Sequence, residues 1–321
     1  MQEIGGYLQL DDFTSNEYYK NLVSLNTARN YFVYLCKAKN ISKVYLPYFL
    51  CDSVSEVCVR ENICYEYYHI NSDFTPIFNE KLSNNEYLYI VNYYGQLTNE
   101  QILSYQQMHQ NIILDNVQAF FQKPLSGIDT IYSCRKFFGV PDGAYLSTDT
   151  KINYELAVDV SKDRMKHILG RYEGKSASDY YDDFKENDHS FIGLPLMYMS
   201  KLTHNILGAI DYEKVIEKRN ENYRVLSNGL DKINELKFVK PYAPFVYPFY
   251  CENGMFLRKK LAEKKIFIPT LWPNILDFDS CELEKDYALN ILPIPVDQRY
   301  SVNEMEKISQ YLKLLTNKLN D

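Results

Sequence analysis

Residues 111–146, "NIILDNVQAFFQKPLSGIDTIYSCRKFFGVPDGAYL", decide how the chain is read. Two short apolar runs, Ile112–Leu114 and Ile131–Tyr132, each stop at polar residues. Such runs between turn signals read as buried strands. Asp115 closes the first, and Ser133, Cys134, Arg135 and Lys136 follow the second. A carboxylate at the end of a buried strand is costly unless a cation or strong hydrogen bonds meet it. A lysine in a similar place has a use if its amine is neutral, because only the neutral amine attacks a carbonyl.

The same reading extends in both directions. "NLVSLNTARNYFVYLCKAKN" (21–40) has helical spacing from Ala28 to Leu35, with Asn26 or Thr27 as N-cap. "KVYLPYFL" (43–50) is a strand ending at a proline, "SVSEVCVRENI" (53–63) a helix and "CYEYYHI" (64–70) a strand. "YLYIVNYYG" (87–95) is a buried strand closed by Gly95, and "TNEQILSYQQMHQ" (98–110) is a helix opened by a Thr-x-x-Gln cap. "IDTIYSCRK" (128–136) is the strand that carries Lys136. Strands alternating with helices predict an α/β fold with a mostly parallel, helix-covered sheet. Ligands in such sheets sit at the carboxyl ends of the strands. That rim collects Pro47–Cys51, Asn92–Gly95, Asp115–Gln118 and Ser133–Lys136.

Beyond residue 150 the pattern loosens. "RYEGKSASDYYDDFKENDHS" (171–190) reads as an exposed loop or irregular helical excursion, with a substrate lid as the sharper alternative. Residues 197–233 are helical almost throughout. They lead to a small α/β unit with strands at "FVYPFYC" (245–251), "IFIPTLW" (266–272) and "ALNILPIPV" (288–296). Two domains are expected: 1–205, with an N-terminal arm over 1–20, and 206–321.

The 321 residues are 46% hydrophobic and 24% charged, ordinary for a globular chain, with a net charge of −7. No basic run favours nucleic acid, and no apolar run approaches the roughly 20 residues of a membrane span. A cytoplasmic location is expected. Seven cysteines without a C-x-x-C pair argue against a disulfide framework and a zinc site, and the five histidines are scattered, so no metal is expected. His189 and the acids from Asp179 to Asp188 read as a solvated charge run. No G-x-G-x-x-G and no G-x-x-x-x-G-K-[ST] loop is present.

Asp115 and Lys136 together suit pyridoxal 5'-phosphate (PLP), with the carboxylate on the ring nitrogen and the amine on the aldehyde. A plain ion pair between neighbouring strands is the alternative. The phosphate equipment favours the cofactor. Ser133 offers a hydroxyl, and Thr27 opens a helix whose N–H groups and dipole attract anions.

On these motifs the chain resembles the DegT/DnrJ-type sugar aminotransferases, a family of fold-type-I PLP enzymes. "LNTARNYFVYL" is similar to the family's phosphate loop and first helix, "ILDNVQAFF" to its D-x-x-[HQ] motif, and "YSCRKFFGVPDGAYLST" to its Ser…Lys segment. "KVYLPYFLCDSV", "LAEKKIFIPTLW" and "LNILPIPVDQRYSVNEMEKISQYL" resemble the remaining segments. The resemblance implies a seven-stranded large-domain sheet, a smaller C-terminal domain, and a homodimer with shared active sites. It also implies amino transfer from glutamate to a nucleotide-linked keto-sugar, as in polysaccharide or amino-sugar biosynthesis. PLP-dependent elimination and a non-catalytic binding role remain the other readings.

Carried over residue by residue, Lys136 would form the Schiff base and shuttle the proton, and Asp115 would hold the ring nitrogen. Gln118 would lie by the phenolic oxygen, and Thr27, Ala28 and Ser133 would hold the phosphate. Cys51 stands where the family stacks an aromatic, and a one-step shift would bring in Tyr48 or Phe49. Ser200 is the candidate for the partner-subunit phosphate contact. Arg299, Tyr93 and Arg29 are candidate substrate contacts. Trp272 and Tyr94 could edge the site, and Arg135 is expected to turn away from Lys136 toward an acid under the sheet.

Overall fold

In the computed structural model, which describes residue 4 and residues 6–14, 16–174 and 176–320, seven strands form one sheet. They are β1 (Val23–Leu25), β2 (Lys43–Pro47), β3 (Cys64–Tyr68), β4 (Glu86–Val91), β5 (Ile112–Asp115), β6 (Asp129–Ser133) and β7 (Ala144–Ser147). The spatial order is β1-β7-β6-β5-β4-β2-β3. From β6 through β3 every pairing is parallel, while β7 runs antiparallel to both β6 and β1. The carboxyl ends of β2, β4, β5 and β6 therefore share one rim, as the alternation of elements predicts.

Three helices connect these strands: α1 (Ala28–Lys39), α2 (Asp52–Glu61) and α3 (Asn99–His109). Their starts follow local chemistry. The Thr27 side chain accepts from Asn30 N and caps α1, and Thr98 and Gln101 form a complete capping box on α3. The polar excursion resolves into α4 (Lys166–Tyr172) and α5 (Tyr181–His189). After it come α6 (Lys201–Gly208) and α7 (Tyr212–Leu230), broken at Ala209–Asp211.

The C-terminal part contains β8 (Val246–Tyr250), α8 (Gly254–Glu263), α9 (Glu282–Asn290), β9 (Ile291–Pro295) and α10 (Val302–Asn320). Strands β8 and β9 pair antiparallel, and a second core of Leu226, Phe249, Leu257, Leu292 and Met305 lies between them and the helices. Ile275, Tyr287 and Ile291 pack instead into the main core beneath the large sheet.

Three expectations need correction. Residues 266–272 form no strand, and the strand expected over 288–296 begins only at Ile291, because Ala288–Asn290 complete α9. Strand β6 stops at Ser133, and Cys134–Lys136 form a turn of 3₁₀ helix, so strand alternation does not set where Arg135 and Lys136 point. Strands β1 and β7, of three and four residues, are too short to show periodicity and were not anticipated.

The Pro141-Asp142-Gly143 turn is a buried junction. Asp142 accepts from Ser200 N at 3.0 Å, from Ser200 Oγ at 2.8 Å and from Thr203 Oγ1, which ties the turn to the start of α6. Gly143 N donates to Asn26 O at 2.7 Å, and Gly143 O accepts from Cys134 N at 3.1 Å. Gly143 has φ +112°, and a Cβ there would stand 3.0 Å from Thr203 Cγ2, so both backbone and space require glycine. The turn thus locks the start of α1 against the segment that carries Lys136.

Asp142→Ala should leave three buried donors unmet and lower unfolding stability by about 2–4 kcal/mol, read from urea denaturation. A loss within about 0.5 kcal/mol would show that the junction does not hold the turn.

Candidate active site

Asp115 ends β5 with only 4% of its surface exposed. Its Oδ2 accepts from Tyr89 Oη at 2.7 Å and its Oδ1 from Val117 N at 2.9 Å. Tyr89 in turn makes a short hydroxyl–hydroxyl contact with Tyr31 of α1. Burial pushes the Asp115 carboxyl up to about 6, while the two hydrogen bonds and the charge of Lys136 act against the shift. Among the described residues no cation lies within ion-pair distance of Asp115, so the simple Asp–Lys pair between strands does not form.

Lys136 is exposed and its Nζ has no hydrogen bond or ion pair among the described residues. Its charge nevertheless acts on both Asp115 and the Cys51 thiol. The backbone next to it is held firmly. Phe137 O accepts from Gln298 Nε2 at 2.9 Å and from Arg219 Nη2 at 3.2 Å. Arg219, 1% exposed, also donates to Pro244 O and Gln298 Oε1, and its guanidinium lies 4.4 Å from the Phe137 ring centre. Burial lowers its pKa to about 10, which leaves it cationic at neutral pH.

The other candidate residues lie at the strand ends and at the start of α1. Ser133 is 7% exposed, and its hydroxyl has no partner among the described residues. Thr27, joined to this segment through Asn26 and Gly143, caps α1, and Ala28 is that helix's first residue. Gln118 Oε1 accepts from Tyr94 N at 2.8 Å, and its Nε2 makes no hydrogen bond among the described residues. Asn92 braces the rim from β4, donating to Asn116 Oδ1 at 2.9 Å and to Gln122 Oε1 at 2.6 Å. The turn after β4 holds Tyr94 at φ +54° and Gly95 at φ +74°.

Several candidate residues lie elsewhere or are already engaged. Tyr48, half-buried just after β2, stacks on Tyr67 at 4.8 Å and packs on His69 and Phe278. Phe49 and Tyr93 are buried against each other and against Trp272, and Tyr93 Oη donates to Phe49 O at 2.6 Å. Tyr93 is not free to touch a ligand at this rim, because packing claims its ring and Phe49 O its hydroxyl. Cys51 is exposed at the start of α2 and is left in the position of the expected aromatic.

Ser200, 1% exposed, is committed to Asp142, Thr203 and Ser161 and offers nothing to a partner subunit. Arg299 forms a two-pronged pair with Asp297, at 2.7 and 2.9 Å, within its own turn. Arg135 does pair with an acid, but that acid is Asp188 of α5, at 3.3 Å. Outside the rim, His69 Nδ1, Cys281 Sγ and a Glu284 oxygen lie within 4.8 Å of one another, and Glu284 Oε1 accepts from Ile70 N.

Tyr31, Tyr89, Arg219 and Gln298 have no place in the sequence reading. Tyr89 carried a signal, since a tyrosine inside a buried strand must find a partner for its hydroxyl. Arg219 and Gln298 carried none, because their acceptor lies across some 80 to 160 residues of chain.

A DegT DnrJ EryC1 StrS aminotransferase from Brucella abortus superposes with a TM-score of 0.64 over 92% of this chain and 86% of its own, at 13% identity. The chain shares that fold. The aminotransferase TlmJ from Streptoalloteichus hindustanus gives 0.64 over 94% and 87%, at 12% identity. DesI, solved in the presence of its TDP-sugar product, gives 0.63 over 94% and 84%, at 11% identity. No protein-family model matches the sequence, and no curated protein matches it significantly.

Asp115 supplies a pH test. Its pKa, about 6 in the folded chain, lies above the usual 3.8, so the folded state binds the proton more tightly than the unfolded state. In cofactor-free protein its contribution is therefore fully present below about pH 4 and is lost as pH rises through about 6. Asp115→Asn removes this loss. The variant should gain roughly 2–3 kcal/mol relative to wild type between pH 4 and pH 7 in chemical denaturation. An equal difference at both pH values would contradict the assignment.

Proposed function

We propose that the chain is a PLP-dependent aminotransferase of the DegT/DnrJ type, acting on a nucleotide-linked keto-sugar with glutamate as amino donor. The observation that carries this reading is a buried carboxylate without a cation in ion-pair contact and an unpaired lysine, both at the carboxyl rim of a fold-type-I sheet. The residues fit the cofactor on their own chemistry. Asp115 lacks the positive partner that a protonated ring nitrogen provides, and a pyridinium N–H there would offset much of its burial cost. Ser133 and the start of α1, with Thr27 and Ala28, would receive the phosphate. Gln118 has an amide N–H₂ free for the phenolic oxygen.

When bound, PLP supplies an electron sink that stabilises a carbanion at the amino-bearing carbon. The chain's own groups do the rest. Lys136 Nζ, with no carboxylate in ion-pair contact, is the base that takes a proton from that carbon and returns it during transfer. Asp115, tethered through Tyr89 to Tyr31 of α1, keeps the ring nitrogen protonated and the ring in register. Arg219 and Gln298 hold the Phe137 carbonyl and so limit where the neighbouring lysine can reach, which is the positioning that such chemistry needs.

The nucleotide-sugar substrate is drawn from DesI, whose structure was solved with its TDP-sugar product, and from the sugar aminotransferase fold. A homodimer in the cytoplasm belongs to the same reading. No helix among the described residues is long and apolar enough to cross a membrane.

Purified protein incubated with PLP and then dialysed should keep a visible absorbance band that Lys136→Ala abolishes. Glutamate should bleach the band in the wild type as the amino group passes to the cofactor. A wild type that retains no band overturns the cofactor assignment. A band that glutamate leaves unchanged overturns the choice of amino donor.

A further inference from the structure

Three side chains able to ligate a metal meet at a place that the amino-transfer chemistry does not use. One ring nitrogen of His69, the Cys281 sulfur and a Glu284 oxygen all lie within 4.8 Å of one another. His69 directly follows β3, Cys281 is the N-cap of α9, and Glu284 lies in the first turn of that helix. Positions three apart at a helix start lie on one side, so the thiol and the carboxylate both reach the same imidazole.

Both halves of the cluster are held in place. His69 O accepts from Ile77 N at 2.8 Å, and the His69 ring lies 4.6 Å from that of Tyr48. Tyr287 Oη donates to Ser72 O at 2.8 Å, which ties α9 to the turn that follows His69. Glu284 Oε1 lies 3.0 Å from His69 Nδ1 and also accepts from Ile70 N at 3.2 Å. Outer contacts of this kind orient the ligands of metal sites.

Ordinary packing leaves three features unexplained. Glu284 is 2% exposed, yet both of its hydrogen bonds fall on Oε1, and Oε2 has no partner among the described residues. A buried carboxylate is costly unless it is fully met. Cys281 is fully buried at an N-cap, a position that Ser, Thr, Asp or Asn fills best, and its side chain makes no cap bond. His69 directs Nδ1 to Glu284 and leaves Nε2 without a hydrogen bond among the described residues. Its side chain is 41% exposed, which gives an ion a way in.

We propose that His69, Cys281 and Glu284 bind a zinc-class divalent cation, with water as the fourth ligand, and so pin α9 to the end of β3. Thiolate, imidazole and carboxylate are the donors that zinc takes, at about 2.0–2.3 Å each, and these lengths set tetrahedral edges of about 3.3–3.6 Å. The His69–Glu284 contact is already that short, and the sulfur has about 1 Å or less to close. On binding, the cation takes the place of the thiol proton, which leaves to solvent. No spacing motif announces the site, because His69 and Glu284 stand 215 residues apart. It does not depend on the aminotransferase reading.

Full-length protein stripped with a chelator should take up one zinc per chain, measured by competition with a chromophoric indicator. Cobalt(II) in place of zinc should give an intense sulfur-to-metal band in the near ultraviolet that Cys281→Ser abolishes. His69→Gln, a change at a half-exposed side chain, should weaken binding by about tenfold or more, since loss of even an outer partner costs about 10–100-fold. Cys64→Ser, at an exposed thiol of β3, should bind as the wild type does. Zinc should also raise the thermal midpoint of the wild type and leave that of His69→Gln unchanged. A wild type that takes up no zinc at micromolar concentration overturns the site and leaves a plain His69–Glu284 bridge. A sulfur band that survives Cys281→Ser or is lost in Cys64→Ser overturns it too, as does equal affinity in wild type and His69→Gln.

Discussion

A carboxylate buried at the end of a strand with no cation to meet it is the constraint on which the candidate site depends. Asp115 reaches this state because β5 lies in the middle of the sheet, between β4 and β6, where its flanks are fully covered. Tyr89 and the Val117 amide compensate part of the cost, and burial still raises the carboxyl's pKa to about 6. Folded chains rarely keep such a deficit without a role, and perturbed carboxylates cluster at functional sites. Here the deficit sits at the carboxyl rim of a parallel sheet, where the fold directs ligands in any case.

The second half of the chain fixes the partner of that carboxylate. Lys136 is itself free, but the next carbonyl is held by Arg219 of α7 and by Gln298 after β9. The Asp142 junction fixes the same segment from the other side, through α6 and Asn26. The turn carrying Lys136 is thus clamped between two buried polar networks, each costly to break. The held backbone fixes the root of the lysine, while its Nζ has no hydrogen-bond partner among the described residues. Below this turn the Phe120, Phe137 and Phe138 cluster supplies the apolar packing.

Much of this was legible in the sequence. The strand and helix alternation predicted the parallel rim, the Thr27 cap and the Thr98–Gln101 capping box emerged as expected, and Asp115 and Lys136 were singled out from their flanks alone. What was not legible depends on distant pairing. Strands β1 and β7 are too short for periodicity and exist because they complete the sheet edge. Residues 266–272 are apolar enough for a strand, yet they pair with neither edge of the two-stranded β8–β9 sheet. Arg219 in a helical pattern looks like a solvent-facing residue, and only the fold buries it and gives it four acceptors. Tyr93 failed as a ligand contact for a similar reason, since its ring is taken up by the junction with Phe49 and Trp272.

The central claim is that Lys136 alone carries the cofactor opposite Asp115. Borohydride reduction of the PLP-loaded protein, followed by peptide mass mapping, tests it most directly, because reduction turns a reversible Schiff base into a stable secondary amine. The account predicts one pyridoxyl group per chain, on the peptide containing Lys136, with occupancy that falls sharply in Asp115→Ala. Label spread over surface lysines, or fixed on a lysine other than Lys136, would contradict it.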